Sequence, residues 1–373
     1  NIDDEDYELF KDPSDTEAPA EPEKHLARWD NGTICYLNSK CVVYYLCNKN
    51  GEIVTDGMFI FDERLGLDEA QKCETHKVCC KKGEVLPPKP RDKCINYKTA
   101  EKCGYRNTEG VGIHVKSKQP NVTYAQYGEF AWSMAVMNDA GGSLTFIGGG
   151  SLIHPKVVVT SGHVVAKQPD HLKMIIRGGE YNTQTTEEIC PHVDRKVKNV
   201  ISHDDYDHAR QNYHNSIALV VLKQAFVLSP TINIVCLPPP NMNFDGEVCI
   251  TSGWGKAKFL SDEEYQVYPK FIELPIVPND KCQKQLRRTR LGEDFELHRK
   301  FLCAGGQEGV DTCTGDGGSA LVCEKKNDPN FYYIAGFVVG GVGCGGKNIP
   351  GFYSDIAKHG NWIDDNMHDL GYN

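Results

Sequence analysis

The chain contains no apolar run approaching the roughly 18 residues that a membrane helix needs. It has no basic stripe: 41 Lys and Arg stand against 51 Asp and Glu, a net charge of −10. That balance argues against nucleic acid and anionic membrane surfaces as partners. Cys-x2-Cys pairs are missing although the 373 residues include 16 cysteines, which argues against a zinc use of those thiols. Asn1 stands where Met would open a nascent chain, and no apolar leader follows it. The expectation is therefore a mature secreted chain whose targeting peptide has been removed.

What is present agrees with export. So many cysteines in even number suit an oxidising compartment and a framework of disulfides. Asn31-Gly32-Thr33 and Asn121-Val122-Thr123 fit the N-glycosylation acceptor pattern, which also arises by chance in turns. The length suggests one large domain with a smaller one. Residues 1–34 open with Asp3, Asp4, Glu5, Asp6 and Glu8, broken later by Pro13, Pro19 and Pro22. Too few large apolar side chains occur there to offset ordering entropy, so an acidic disordered tail is expected, either merely solvated or an interaction arm.

Residues 35–80 gather Cys35, Cys41, Cys47, Cys73, Cys79 and Cys80 into a small domain that needs staples. Val42–Leu46 reads as a strand and Asn48–Gly51 as the turn after it. Six cysteines allow 15 connectivities, and spacing alone does not choose among them. Residues 81–118 form a linker whose prolines (Pro87, Pro88, Pro90) favour an extended spacer. From 119 to 373, short β-rich runs alternate with Gly, Asn, Asp and Pro turns, the rhythm of a barrel or sandwich. Ile356, Ile363, Met367 and Leu370 sit at helical spacing, which predicts a helix over Ser354–Leu370.

Four segments carry a family resemblance: Gly128-Glu129-Phe130-Ala131-Trp132, Thr160-Ser161-Gly162-His163, Cys249-Ile250-Thr251-Ser252-Gly253-Trp254-Gly255, and Asp311-Thr312-Cys313-Thr314-Gly315-Asp316-Gly317-Gly318-Ser319. In this order and at these distances they resemble the trypsin family. The resemblance implies an all-β domain of two six-stranded antiparallel barrels with a C-terminal helix, the site lying between the barrels. The preceding cysteine cluster, ending in a Cys-Cys pair, resembles the clip domain of arthropod clip-domain proteases. That family's pattern implies Cys35–Cys79, Cys41–Cys73 and Cys47–Cys80.

Peptide hydrolysis needs a hydroxyl nucleophile, an imidazole to take its proton, and a carboxylate to fix the imidazole. The imidazole is His163, after Thr-Ser-Gly where the family has Thr-Ala-Ala. At the carboxylate position, Asn215-Ser216-Ile217-Ala218-Leu219 carries Ser216. At the nucleophile position, Gly315-Asp316-Gly317-Gly318-Ser319-Ala320 carries Gly317. Ser319 lies two residues along a tight turn, whereas about 1 Å of misplacement already costs on the order of 10²-fold. Loss of the nucleophile alone costs roughly 10⁶ in kcat, and loss of the carboxylate roughly 10⁴. The expectation is a non-catalytic homologue with a degenerate triad at His163, Ser216 and Gly317.

Active relatives free an Ile-Val-Gly-Gly terminus that pairs with the aspartate before the nucleophile. Asp316 is kept, but the corresponding start reads Gln119-Pro120-Asn121-Val122, so a zymogen-like site is expected. Asp311, Gly341 and Gly351 match the specificity pocket for Arg or Lys, although Val339-Gly340-Gly341 loses its aromatic wall. The resemblance further implies Cys249–Cys323, Cys282–Cys303, Cys313–Cys344 and Cys103–Cys236, which leaves Cys94 with Cys190. The bridge that flanks the histidine in relatives is replaced by Gly148 and Val164. Residues 179–188 resemble the family's calcium loop, with Glu180, Asn182, Thr185 and Glu188 as candidate ligands; a solvated acidic loop is the other reading.

Together these features resemble the arthropod clip-domain serine protease homologues. The resemblance implies an extracellular haemolymph protein that an upstream clip-domain protease cuts, that self-assembles, and that assists phenoloxidase formation from prophenoloxidase in melanisation. A pattern-recognition, adhesion or decoy role in the same cascade shares every one of these features. Arg64, Arg91 and Arg106 are unranked cleavage candidates. Val42–Leu46 and Phe59-Ile60-Phe61 suit either a partner cleft or the core of the clip domain.

Overall fold

The computed structural model describes residues 102–372 except 112, 116–122, 169, 185–187, 189, 211–212 and 257–264, and before them short strands of backbone. For those strands, and for 113–115, the backbone alone is described. Leu26–Arg28 (β1) pairs antiparallel with Ile34–Tyr36 (β2), so a short ladder falls inside the stretch expected as a tail. Ser39–Val43 (β3) pairs with Lys77–Lys81 (β5), setting Cys41 opposite Cys79 in the backbone register. This strand starts three residues earlier than the sequence pattern suggests. Phe59–Phe61 (β4) runs parallel to Ile113–Val115 (β6). The rest of the tail, Asn31, Asn121, Cys47, Cys73, Cys94, Thr185, Arg64 and Arg91 lie outside the described residues.

Beyond a two-residue strand, Thr123–Tyr124 (β7), the chain builds two barrels. The first uses Ser133–Asp139 (β8), Leu144–His154 (β9), Val157–Thr160 (β10), Met174–Gly178 (β11), Val193–Ser202 (β12) and Ala218–Leu222 (β13), closed in the order β10-β13-β12-β11-β8-β9. The second uses Val248–Gly253 (β14), Lys270–Val277 (β15), Phe301–Gly305 (β16), Ala320–Lys325 (β17), Asp328–Gly340 (β18) and Pro350–Asp355 (β19). It runs β14-β17-β18-β19-β16-β15 and closes by β14 pairing with β15, while β7 adds to the outside of β15. All strand pairs within the barrels are antiparallel, as the resemblance implies.

Local sequence explains the closure. Val157-Val158-Val159 and Ala218-Leu219-Val220-Val221-Leu222 are continuous β-branched or aliphatic runs, and every one of these residues is buried. Such runs suit strands covered on both faces. Met134, Leu152, Ile176, Val197 and Phe226 fill the first barrel, and Leu274, Leu302, Ala335 and Tyr353 the second. A third cluster, holding Trp132, Ile217 and Leu219 with Ile250, Phe337 and Ile363, welds the barrels together. Each fully buried large aliphatic side chain contributes about 1.5–3 kcal/mol.

The C-terminal helix is shorter than its apolar spacing suggests. Ser354 and Asp355 belong to β19, Ala357–His359 form one 3₁₀ turn, and the α-helix spans Gly360–Asp369. Ser354 sits opposite both Phe301 and Phe337, and this two-sided ladder outweighs the helical period.

Cys249–Cys323 staples β14 to β17, Cys282–Cys303 ties the helix Asn279–Arg287 to β16, and Cys313–Cys344 joins two loops. Cys103–Cys236 fixes the incoming segment 102–111 to the second barrel across 133 residues of sequence. Cys190 is disulfide-bonded as well, and Cys94 lies outside the described residues.

Arg106, a cleavage candidate by sequence, is corrected by its surroundings. Its side chain is 12% exposed and paired with Glu129 at 2.7 Å. It donates to the Tyr332 hydroxyl at 3.3 Å and lies over the rings of Phe130 and Phe271. A protease needs an exposed, extended chain, and this arginine is an anchor instead.

Candidate functional site

His163 sits on a single turn, Gly162–Val165, just after β10, so the first barrel presents it to the cleft. Ser216 precedes β13 in the same barrel, and Gly317 precedes β17 in the second. The fold thus brings all three together. A Cβ added to Gly317 would stand 2.6 Å from His163 Nε2, so the imidazole has closed into the space of a missing side chain. The next glycine, Gly318, has φ +84°, and its backbone packs on the Gly149 carbonyl, which fixes this turn against the first barrel. Ser319 faces away from His163: its Oγ lies against Gly149 and Gly253.

On the other side of the ring, hydroxyls replace the carboxylate. His163 Nδ1 meets Ser161 Oγ at 2.6 Å, and Ser161 Oγ meets Ser216 Oγ at 2.9 Å. The backbone N–H of His163 donates to Ser216 Oγ at 3.1 Å. Ser161 was not singled out from sequence, although its departure from the family's alanine was the signal. An uncharged hydroxyl chain gives an imidazolium none of the support that a buried carboxylate gives. Burial, with Lys167 and His208 adding to it, holds His163 down to about 3, so the ring is neutral at physiological pH.

Two aromatic rings flank this triad. Tyr213 meets His163 edge-on at 5.4 Å and reaches Gly340. Tyr265 covers Gly315, where a Cβ would come within 2.5 Å of the ring, and meets Phe146 of the first barrel at 5.5 Å. The flanking bridge of relatives is replaced by packing, since Gly148 lies directly against the buried side chain of Val164.

Asp316 is partly buried. Its carboxylate accepts from Gly255 N and from Cys313 N, each at 2.9 Å. Burial pushes its carboxyl up, against those two N–H donors and Lys270. Asp311, Gly341 and Gly351 converge: a Cβ on Gly351 would lie 3.4 Å from Asp311 Oδ1, and one on Gly341 3.7 Å from Gly351. Asp311 is capped by Thr312 N at 2.9 Å and Gly345 N at 3.0 Å, and burial pushes it up to about 6. A separate small cavity of about 50 Å³, lined by Asp311 with Asp316, Lys256 and Lys270 but not by Gly341 or Gly351, has room for a few waters.

Glu180 and Glu188 also meet, and His192 joins them. Burial and the neighbouring Glu188 carboxylate push Glu180 up to about 8, against the Arg177 guanidinium. Calcium wants six to eight oxygens. Here the Asn182 amide is spent on Gln184 N and Tyr268 Oη, and Thr185 lies outside the described residues. Arg177 already occupies one face of Glu180 at 3.1 Å, and the third donor is an imidazole nitrogen. Of the four candidate ligands, Glu180 and Glu188 come together, while the Asn182 side chain is engaged elsewhere.

Residues 120–363 match the trypsin family, and residues 31–81 match the serine protease clip domain PPAF-2. The chain belongs to the trypsin family and carries a clip domain. It is 42% identical to phenoloxidase-activating factor 2 of Galleria mellonella over 76% of this chain and 93% of that protein. It is 38% identical to inactive CLIP domain-containing serine protease A8 of Anopheles gambiae over 70% of both chains. Inactive CLIP domain-containing serine protease A28 of the same mosquito is 32% identical over 89% of this chain and 90% of its own length. These similarities support a clip-domain homologue related to the phenoloxidase-activating factors and to proteins named inactive. Among the described residues, no helix is long and apolar enough to cross a membrane.

Proposed function

We propose that this clip-domain homologue is a secreted, non-catalytic cofactor of phenoloxidase activation in haemolymph. The observation that carries the reading is Gly317 under His163 Nε2, where a nucleophile's side chain would have to stand. Without that hydroxyl, kcat falls by roughly 10⁶, and without a carboxylate the imidazole loses its orienting charge as well. The relationship to phenoloxidase-activating factor 2 supplies the partner class: prophenoloxidase or its activated form.

In this reading an upstream clip-domain protease cuts ahead of the barrels, at Arg64 or Arg91. Cys103–Cys236 and the Arg106–Glu129 pair keep segment 102–111 on the second barrel after the cut. The cut form then self-associates and holds phenoloxidase. The test mixes the purified chain, intact and nicked by a trypsin-like clip protease, with prophenoloxidase and its activating enzyme. Phenoloxidase activity and the mass of co-eluting complexes are read together. A rise with the nicked form alone, with co-elution, supports the cofactor role. Suppression by both forms, or no change with either, replaces it with the decoy or adhesion reading.

A further inference from the structure

Four imidazoles meet along one seam between the barrels. His203 follows β12 and His214 precedes β13 in the first barrel. His298 precedes β16 in the second, and His359 ends the 3₁₀ turn before the C-terminal helix. His214 stacks on His298 at 4.3 Å with 15° between the ring planes. His203 meets His359 edge-on at 5.8 Å and stacks on Trp362 of the helix at 5.4 Å. Both contacts between imidazoles therefore cross from one barrel to the other.

The ring nitrogens are set for neutral imidazoles. His203 Nδ1 accepts from Asp205 N at 3.2 Å, and its Nε2 lies 3.4 Å from the Lys300 ammonium. A protonated ring would aim an N–H at each of these donors. His359 Nδ1 donates to the Asp355 carbonyl at 2.7 Å, while its buried Nε2 has no hydrogen-bond partner. His298 Nδ1 is buried without a partner as well. A proton at either nitrogen would be a buried donor with no acceptor, which is costly. Burial, His214, Arg299, Lys300 and His203 hold His298 down to about 4. Burial, Lys300, His203 and His298 hold His359 down to about 3, against its bond to Asp355. Burial lowers His214, and burial with Lys300 lowers His203 against Asp205 and Asp204. Asp355, whose carboxylate faces Lys358, is raised by burial and acts with the opposite sign.

The stretch around His214 is also strained. Tyr213 and Asn215, on either side of it, have φ 56° and 52°, both left-handed. A bulky residue such as tyrosine keeps that conformation only where its surroundings impose it. Tyr213 is also the ring set edge-on against His163. We propose that the imidazole seam is an acid-released clasp, in which proton uptake parts residues 213–215 from the second barrel and draws Tyr213 off His163. The sign follows from the closed rings being neutral. Free imidazole titrates near about 6.5, so the clasp holds fully above that pH and weakens as pH falls below it. Each ring that is neutral when closed and charged when open multiplies the open-to-closed ratio about tenfold per pH unit. His298 and His359 together give about 100-fold.

The experiment follows hydrogen exchange of the full chain by mass spectrometry between about pH 7.5 and about pH 5, corrected for the intrinsic rate. The backbone of 213–217 and 357–363 is read against β14 and β17. Protection of the first two stretches should fall together and reversibly, by about 100-fold per pH unit below about 6.5, while β14 and β17 stay protected. His298→Phe keeps a ring against His214 but takes no proton, and should cut that slope to about tenfold. If His298→Phe does not fold, His214→Phe, which removes the other titrating ring of the stack, decides by the same reduced slope. Protection that does not change with pH overturns the proposal. A loss shared equally by β14 and β17 replaces it with acid unfolding of the whole domain. An undiminished slope in the variant also overturns it, because the protons then bind elsewhere.

Discussion

Gly317→Ala is a sensitive probe of the closed imidazole, because two physical effects give it opposite signs. Gly317 does not have positive φ, so alanine fits its backbone. With open space beside it, the exchange would stabilise the fold by about 0.4–1 kcal/mol through the unfolded chain. The structure argues otherwise. The new methyl would stand 2.6 Å from His163 Nε2, and ordinary contact begins near 3.4 Å, so the ring must retreat by roughly 0.8 Å. Ser161, itself bonded to Ser216, holds its far side, and Tyr213 flanks it. Overpacking of this kind costs about 1–3 kcal/mol. In a domain of this size that is a fall of about 2–12 °C in melting temperature. Adding Gly317→Ala to a His163→Ala background removes the clash and should be neutral or stabilising, a coupling of about 1–4 kcal/mol in the double-mutant cycle. Urea denaturation of the four proteins measures it. If Gly317→Ala stabilises the chain with His163 intact, the closed imidazole is wrong.

Three further outcomes follow from the same geometry. Gly317→Ser combined with Ser216→Asp should still show no turnover of a fluorogenic arginine substrate, because His163 Nε2 stands where the new side chain would go and Ser161 still holds Nδ1; measurable peptidase activity would refute that. Arg106→Ala should cost about 3–5 kcal/mol in chemical denaturation, since it strands the buried Glu129, whereas Arg106→Gln with Glu129→Gln should cost clearly less. His359 is 1% exposed and burial holds it down to about 3, so its stabilising contribution is intact above about 6.5 and is lost as pH falls towards the folded value. Between pH 6.5 and 5 this amounts to about 2 kcal/mol, at 1.36 kcal/mol per pH unit. His359→Gln should flatten the acid limb by that amount; Glu180 and Asp311, whose raised values act in the opposite direction, are common to both proteins and cancel.

The β character was legible in short runs alternating with turns, which left barrel or sandwich open; the two six-stranded barrels were implied by the resemblance of the four family segments. Val157-Val158-Val159 and Ala218–Leu222, continuous apolar runs, proved to be covered strands. The C-terminal helix was over-read, since the period of Ile356, Ile363, Met367 and Leu370 does not reveal that Ser354 is held between two strands. Arg106 was misjudged for a similar reason. A basic residue in a linker looks exposed until Glu129, Phe130, Phe271 and Tyr332, distant in sequence, close around it. At the acidic loop, Glu180 and Glu188 stood out within one stretch, but Arg177 and His192 contribute through the β11–β12 ladder and carry no motif.

Ser161 shows why the framework stands while the chemistry has changed. A carboxylate at position 216 would be a buried charge held by a cationic or hydrogen-bonded imidazole. With Ser216 there, that charge is absent, and the imidazole has no reason to protonate. Ser161 then takes Nδ1 and Ser216 takes the backbone N–H of His163, so the imidazole is held by uncharged partners. Glycine at 317 completes the exchange by letting the neutral ring settle inward, where burial depresses its basicity further. Each replacement lowers the demand for the others. Restoring one group alone therefore meets a site already packed against it, and the sign of Gly317→Ala reads that packing directly.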